Sequence, residues 1–440
     1  MTGNPILEVF KIKDLRERII FTVSLLVVFR IGTIIPIPGI NINALRLYFS
    51  SLRETGGAVL TEYIDFFTGG GFSNFSVFML GIMPYISMSI IMQLLILVFP
   101  KLKKISQAEG GKKKIQKYTR YGTVVVCLLQ SYVVTIYARH IPDAIMMSHL
   151  AYSIIAIITV TTGTMLLMWM GEQITQRGVG NGISLIIFAG IVARLPAAFY
   201  QLFSMVRARE LNVVFVIIVL AMFVGVIALV IYEQQGQRKI PVNYAKRVIG
   251  RKMYGGQNTY IPFKINPSGV IPVIFASSVM AFPLQMFGTL GVQYRWMSDL
   301  AYWFRPTGAL YLSVYSMLIV FFAYFYTQVT LNPTEITKQI RENGGSIPGI
   351  RTEKIESYLT RILSRIVLPG ALFLSAIAIM PTIIQILFGF PAELSMLMGG
   401  TSLLIMVGVD LDTMAQIEGH LKMHHRDGIV RKGKIRSRNL

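Results

Sequence analysis

Ten stretches of roughly 20 residues, apolar almost without interruption, divide this chain, and about 20 helical residues are what a hydrocarbon bilayer demands. They lie near 19–38, 75–99, 121–138, 151–171, 183–202, 212–232, 268–288, 308–330, 364–388 and 398–416. Lipid offers no hydrogen bonds to the backbone, so each stretch is expected to be a helix. Composition agrees. Of 440 residues, 53% are hydrophobic and 14% charged, which excludes an ordinary soluble globule. The start, "MTGNPILEVFKIKDLRER", has polar residues through it and lacks a small-residue cleavage site after an apolar run. The first apolar run is therefore expected to stay as a span. An even number of spans puts both termini on one side.

A net charge of +21 raises the thought of nucleic acid, but its distribution points elsewhere. Basic residues crowd before the first span, in the second-to-third loop from Lys101 to Arg120, and in the sixth-to-seventh loop from Arg238 to Lys264. They crowd again in the eighth-to-ninth loop from Lys338 to Arg365, and in the tail from Lys422. The positive-inside rule makes this face cytoplasmic, and it agrees with the parity of the spans. The ten spans divide as 1–202 and 212–416, joined by a hinge at 203–211 and followed by a basic cytoplasmic tail at 417–440. Five spans per half forces opposite orientations, the arithmetic of an inverted repeat. Two connections on the basic face, 233–267 and 331–363, are longer than topology needs, which suits a docking platform for an anionic partner.

The spans lack most catalytic and relay chemistry. Asp410 and Asp412, near the end of the last span, are the only acids within the marked stretches, and they are expected at headgroup depth. Arg30 and Arg194 are the only cations at depth. Proton-coupled transporters need intramembrane carboxylates, so a secondary transporter with inverted repeats is the weaker alternative. No H-E-x-x-H pair and no Walker sequence occur, which removes the usual protease and nucleotidase routes. His420 and His424 have metal-pair spacing but no evident third ligand. The single cysteine, Cys127, has no partner in the chain for a disulfide. No enzyme, cofactor or metal site is expected.

One segment does not behave as a span. "DFFTGGGFSNF", residues 65–75, starts like a helix, breaks on Gly69, Gly70 and Gly71, and runs straight into the second apolar stretch. An incomplete helix can rest at membrane depth only inside protein or a wet cavity.

A set of motifs in fixed order then becomes recognisable: "RIGTIIPIPGI" (30–40), "GIMPYISMSIIMQLL" (81–95), "QKYTRYGT" (116–123), "GEQITQRGVGNGIS" (171–184), "VNYAKR" (242–247), "INPSGVIPVIFASS" (265–278), "IPGIR" (347–351) and "GGTSLLI" (399–405). The set closely resembles the bacterial SecY family, channel subunits of the general secretion translocon, over nearly the whole chain. The resemblance implies an all-α membrane fold with ten transmembrane helices in two inverted halves, forming a passive, gated, protein-conducting channel. It would pass unfolded secretory chains and release transmembrane segments sideways into lipid.

The short helix is then a plug: Glu62, Tyr63, Ile64, Asp65, Phe66, Phe67, Thr68, Gly69, Gly70, Gly71, Phe72 and Ser73. The family's apolar pore ring maps onto Ile82, Ile86, Ile183, Ile187, Ile274 and Ile405. Ser87, Gln93 and Phe282 are lateral-gate candidates, with the second and third spans facing the seventh and eighth. Arg247, Arg251, Lys252 and Arg351 would dock a SecA motor ATPase or a ribosome, whose RNA phosphates suit arginine. Small SecE-like and SecG-like membrane subunits, signal sequences and nascent chains are further implied partners. The implied home is a bacterial inner (plasma) membrane.

Overall fold

The computed structural model describes residues 12–54, 65, 67–209, 211–244, 247–249, 252–254, 258–290, 294–305, 307–390, 392–397 and 399–432. By internal packing it forms two compact units, residues 1–199 with 408–440, and residues 200–407.

The first unit opens with α1 (Lys13–Gly32) and α2 (Ile42–Glu54), then α3 (Met83–Val98) and α4 (Pro100–Gln107). It continues with α5 (Gly111–Arg139), α6 (His149–Arg177), α7 (Gly182–Val192) and α8 (Leu195–Arg207), whose last turns belong to the second unit. The second expected span starts eight residues late. Residues 75–82 are buried turns, because their backbone bonds elsewhere: Ile37 N donates to Phe75 O at 2.8 Å and Val77 N to Ile35 O at 3.0 Å. Phe75 itself takes the left-handed φ of 44°. The helix begins only where Pro84 suits a first-turn position. Phe99 is extended, and Pro100 starts α4 after a bend of 104°.

The expected fifth span is built by α7 and α8 together, which run on as one apolar stretch, Gly182–Arg207, across a turn at 193–194 just before Pro196. The connection expected at 203–211 is helical through Arg207. An aromatic core of Phe49, Phe72, Phe75 and Tyr152 holds the turns onto α2, α5 and α6. Toward the other end of α5 and α6, Glu172 is clamped. Arg120 donates to it from Nε at 3.0 Å and from Nη2 at 2.6 Å, and Gln116 Nε2 donates at 3.0 Å.

The second unit begins with α9 (Val213–Gln235), which leads into β1 (Gln237–Tyr244), β2 (Arg247–Ile249), β3 (Lys252–Tyr254) and β4 (Asn258–Lys264). Then come α10 (Ile271–Leu290), α11 (Arg295–Trp303), α12 (Ala309–Thr330), α13 (Pro333–Glu342), β5 (Gly345–Ser346), α14 (Ile355–Phe388) and α15 (Ala392–Leu397). The last helix, α16 (Gly400–Lys432), starts in this unit and ends in the first. It runs well past the expected end at 416.

The two long loops turn out to be structured. β4, β1 and β5 form one antiparallel sheet, with Ile240 opposite Ile261 and Asn243 opposite Ser346. β2 and β3 pair as a separate hairpin. Alternate residues of β1 point inward: Ile240 and Val242 pack with Phe263, Ile340, Ile347, Ile355 and Leu359 in a small core of their own. The fold is therefore mostly helical, with one three-stranded sheet and one two-stranded hairpin that the all-α expectation did not include.

Seven described helices are long and apolar enough to cross a membrane, or eight if the bent α3–α4 pair counts as one span. The expected seventh span, 268–288, is covered by α10, a continuous helix from Ile271 to Leu290, with Ile271–Ala281 as its described apolar stretch. α1 covers only residues 19–32 of the first expected span, and it is not among these seven, since its opening turns carry Lys13, Asp14, Arg16, Glu17 and Arg18.

Candidate functional site

The chain around the glycine triplet folds back on itself. Residues 67–68 are helical and 69–70 form a turn, in which Gly69 has φ +66° and Gly70 φ +90°. Only glycine adopts such angles without strain. The Asp65 carboxylate closes the loop from inside. Its Oδ1 accepts from Phe72 N at 3.0 Å and Ser73 N at 3.1 Å, and from the Thr68 hydroxyl at 3.4 Å. Asp65 is 2% exposed. A buried carboxylate needs donors and a cation, and the cation is Arg194, with Nη1 3.9 Å from Asp65 Oδ2. Arg30 holds the same turn by another atom, donating from Nη1 to Gly69 O at 2.7 Å. The two cations singled out at depth thus converge on one short segment.

Two glycine contacts seat it. A Cβ on Gly69 would lie 2.8 Å from the Cα of Gly190 on α7, and a Cβ on Gly81 would lie 3.3 Å from Thr68 Cγ2. Backbone therefore rests on backbone at Gly190, and the Thr68 methyl rests on Gly81. The turn lies against α7 one helical turn beyond Ile187, and against the residue preceding Ile82. Gly69→Ala is expected to unseat the segment, since both its φ and its space exclude a side chain. Gly190→Ala is the milder change, because its Cβ would meet Gly69 Cα at 3.3 Å. Ion leak through the reconstituted resting protein should be higher for Gly69→Ala than for Gly190→Ala.

The structure describes the expected plug from Asp65 onward, save Phe66. Glu62, Tyr63, Ile64 and Phe66 lie outside the described residues. Four ring candidates belong to the first unit. Ile82 caps α3 and Ile86 lies one turn in; on α7, which Asn181 caps, Ile183 is the second residue and Ile187 lies one turn further. Ile82, Ile86 and Ile187 are buried, while Ile183 is half-buried with Cγ1 facing Gly171 of α6. Ile274, near the start of α10, and Ile405, near the start of α16, are buried in the second unit. Ser87 and Gln93 are half-buried on α3. The Oε1 of Gln93 is buried and accepts no hydrogen bond among the described residues. Phe282 lies on α10 beside Pro283, its side chain outside the described residues.

Of the docking candidates, Arg247 and Lys252 occupy β2 and β3, where only the backbone is described, and Arg251 lies outside the described residues. Arg351 is exposed and precedes a short 3-10 turn. With Lys354, Tyr358 and Arg361 it lines an open basic groove. No group of three or more potential metal ligands occurs among the described residues.

Sequence reasoning missed the Asp65–Arg194 pair. A lone acid in an apolar segment and a lone arginine at depth were its visible signal, since each needs a partner of opposite charge.

The SecY family model matches residues 76–414. The protein translocase subunit SecY of Borreliella burgdorferi is 46% identical over 418 residues, covering 94% of this chain and 95% of that one. The chain belongs to the SecY family. Solved SecY-type channels share its fold. One, a SecY protein described as having a plug domain that stabilises the closed state and maintains a membrane seal, matches with TM-score 0.63 and 19% identity over 91% of each chain. Another, Sec61 in a canine ribosome–channel complex, matches with TM-score 0.59 and 19% identity, again over 91% of each. The SecY family is one of multi-pass membrane channels rather than enzymes, and nothing favours the transporter alternative.

Proposed function

We propose that this chain is the passive, gated channel of a protein translocase, conducting unfolded polypeptides across a membrane and releasing apolar segments into lipid. The observation that carries this reading is the 65–71 turn, held by Arg30 and Arg194 and seated on Gly81 and Gly190 beside Ile82 and Ile187. A short helix fastened in that way is a stopper, and isoleucine beside it makes a seal that excludes water.

In this reading the halves 1–202 and 212–416 are inverted sets of five spans. The residues near 62–73 are the plug, and Ile82, Ile86, Ile183, Ile187, Ile274 and Ile405 supply the ring. Branching at Cβ leaves each few rotamers, so the ring closes around an extended chain with little rearrangement. Ser87, Gln93 and Phe282 belong to the lateral gate. Arg247, Arg251, Lys252 and Arg351 receive a SecA-type motor or a ribosome, and small SecE-like and SecG-like subunits complete the complex. The basic face, both termini included, lies in the cytoplasm of a bacterial cell, and the membrane is its inner one.

Photo-crosslinkers at Ile82, Ile187 and Ile274 test the path, with Val224 on α9, 64% exposed, as the lipid-facing control. A secretory precursor stalled midway by a folded C-terminal domain should crosslink to the three isoleucines and not to Val224. Crosslinks at none of the three would overturn the reading. Ile86→Gly and Ile187→Gly, singly and together, should raise ion leak in the resting channel. Unchanged leak in all three variants would remove these residues from the ring.

A further inference from the structure

α11 bridges two apolar helices, α10 and α12, at the ends away from the β4–β1–β5 sheet. α10 starts shortly after β4 and ends at Leu290, while α12 starts at Ala309 and runs back toward β5. One side of this nine-residue helix is spoken for. Met297, Leu300 and Phe304 are partly covered, and the Phe304 ring lies 5.8 Å from that of Phe287 on α10.

Around the rest of the helix and at its cap, Tyr294, Trp296, Tyr302 and Trp303 are exposed by 52, 59, 61 and 63%. Two of the chain's three tryptophans therefore stand on one short exposed surface. Trp296 and Trp303 are seven residues apart, two helical turns on the same face. Arg295 and Arg305 are exposed beside them, and the Arg305 guanidinium lies 4.4 Å from the centre of the Tyr302 ring.

Tyrosine, tryptophan and arginine together suit one surrounding better than water or hydrocarbon. Aromatic rings with a polar edge settle at the headgroup level of a bilayer, and guanidinium pairs geometrically with phosphate. The patch is also continuous with a lipid-facing surface. Leu310, Met317 and Phe321 of α12, exposed by 44, 74 and 51%, form a stripe that starts just beyond it, on a helix apolar enough to cross a membrane.

We propose that α11 lies flat in the leaflet opposite the sheet and binds phospholipid headgroups, with Trp296, Tyr302 and Trp303 at the glycerol level and Arg295 and Arg305 on lipid phosphates. Neither arginine pairs with an acid in any described ion pair under 4.0 Å, and Asp299 is the only acid on the helix. The patch thus carries net positive charge for an anionic lipid. The helix would tie the ends of α10 and α12 to the bilayer surface, so that separating the two helices drags against lipid.

The test uses the full chain with its partner subunits, in vesicles, with Trp169→Phe so that Trp296 and Trp303 are this chain's only tryptophans, and with the signal of Trp169→Phe/Trp296→Phe/Trp303→Phe subtracted to remove that of the partners. Phosphatidylcholine brominated near the glycerol should quench roughly twofold more than lipid brominated near the chain end, the signature of interfacial tryptophan. Aqueous iodide should quench weakly. Shallow-brominated phosphatidylglycerol should quench more than the matching phosphatidylcholine, and that excess should vanish in Arg295→Gln/Arg305→Gln. Full iodide quenching without lipid quenching would overturn the proposal in favour of water. Protection from both quenchers would overturn it in favour of a protein partner. An absent phosphatidylglycerol excess would overturn the phosphate assignment. If Trp169→Phe fails to fold, subtracting the signal of Trp296→Phe/Trp303→Phe from that of the native chain gives the same readout.

Discussion

Asp65→Ala is expected to leave the channel leaky at rest. The substitution removes two backbone hydrogen bonds and the partner carboxylate of Arg194, whose side chain is only 12% exposed. Stripping one member from a buried pair costs about 3–5 kcal/mol, mostly because the remaining charge stays desolvated. That penalty falls on the seated state alone, since an unseated segment can find water. A shift of that size moves the balance between seated and unseated plug by roughly 100-fold or more. Single-channel recording in planar bilayers should show frequent openings without a substrate. The double variant Asp65→Ala/Arg194→Leu should leak less than Asp65→Ala, because the guanidinium that lost its carboxylate is removed with it. Equal leak in both would mean that the pair does not hold the plug.

The second large effect is on stability. Glu172, 8% exposed at its side chain, takes both arms of Arg120 and the amide of Gln116. Glu172→Ala is expected to cost about 3 kcal/mol, the lower end of the range for breaking a buried pair. The side chain of Arg120 is 41% exposed, so water recovers part of the loss. Thermal unfolding in detergent should show a lower midpoint, and Glu172→Leu/Arg120→Leu should regain part of it. Full recovery in Arg120→Leu alone would contradict the account, since that variant strands the carboxylate.

Much of the architecture was legible because lipid imposes one rule on every span. The boundaries were less so. Residues 75–82 are as apolar as a helix and as buried, yet they are turns, because Phe75 and Val77 bond to Ile37 and Ile35 and Met79 and Gly81 close local turns, which no local pattern announces. The small sheet was readable in principle. "QRKIPVNY" alternates outward and inward at Ile240 and Val242, a two-residue period masked by its charge.

The glycine triplet did mark a break in the helix, and Gly69 meets both demands, a left-handed φ and a neighbour too close for any side chain. Its fastening by Asp65 and Arg194 stayed hidden, since the partners are far apart in the chain. The six isoleucines stand out from many others only through the family's motifs, because composition does not distinguish a residue facing a passage from one facing lipid.

The buried aromatic turns have a mechanical meaning for the plug. Phe72 and Phe75 are sunk in the core, Asn74 Nδ2 donates to Thr33 O at 3.3 Å, and Ser76 bridges Pro36. This end of the segment is bolted to the wall. Whatever moves on its near side does so on a leash of residues 65–71, which pulled straight spans roughly 20–25 Å. In the channel reading proposed above, the stopper is thus a door on a fixed jamb rather than a cork, and it swings aside only within reach of its own doorway.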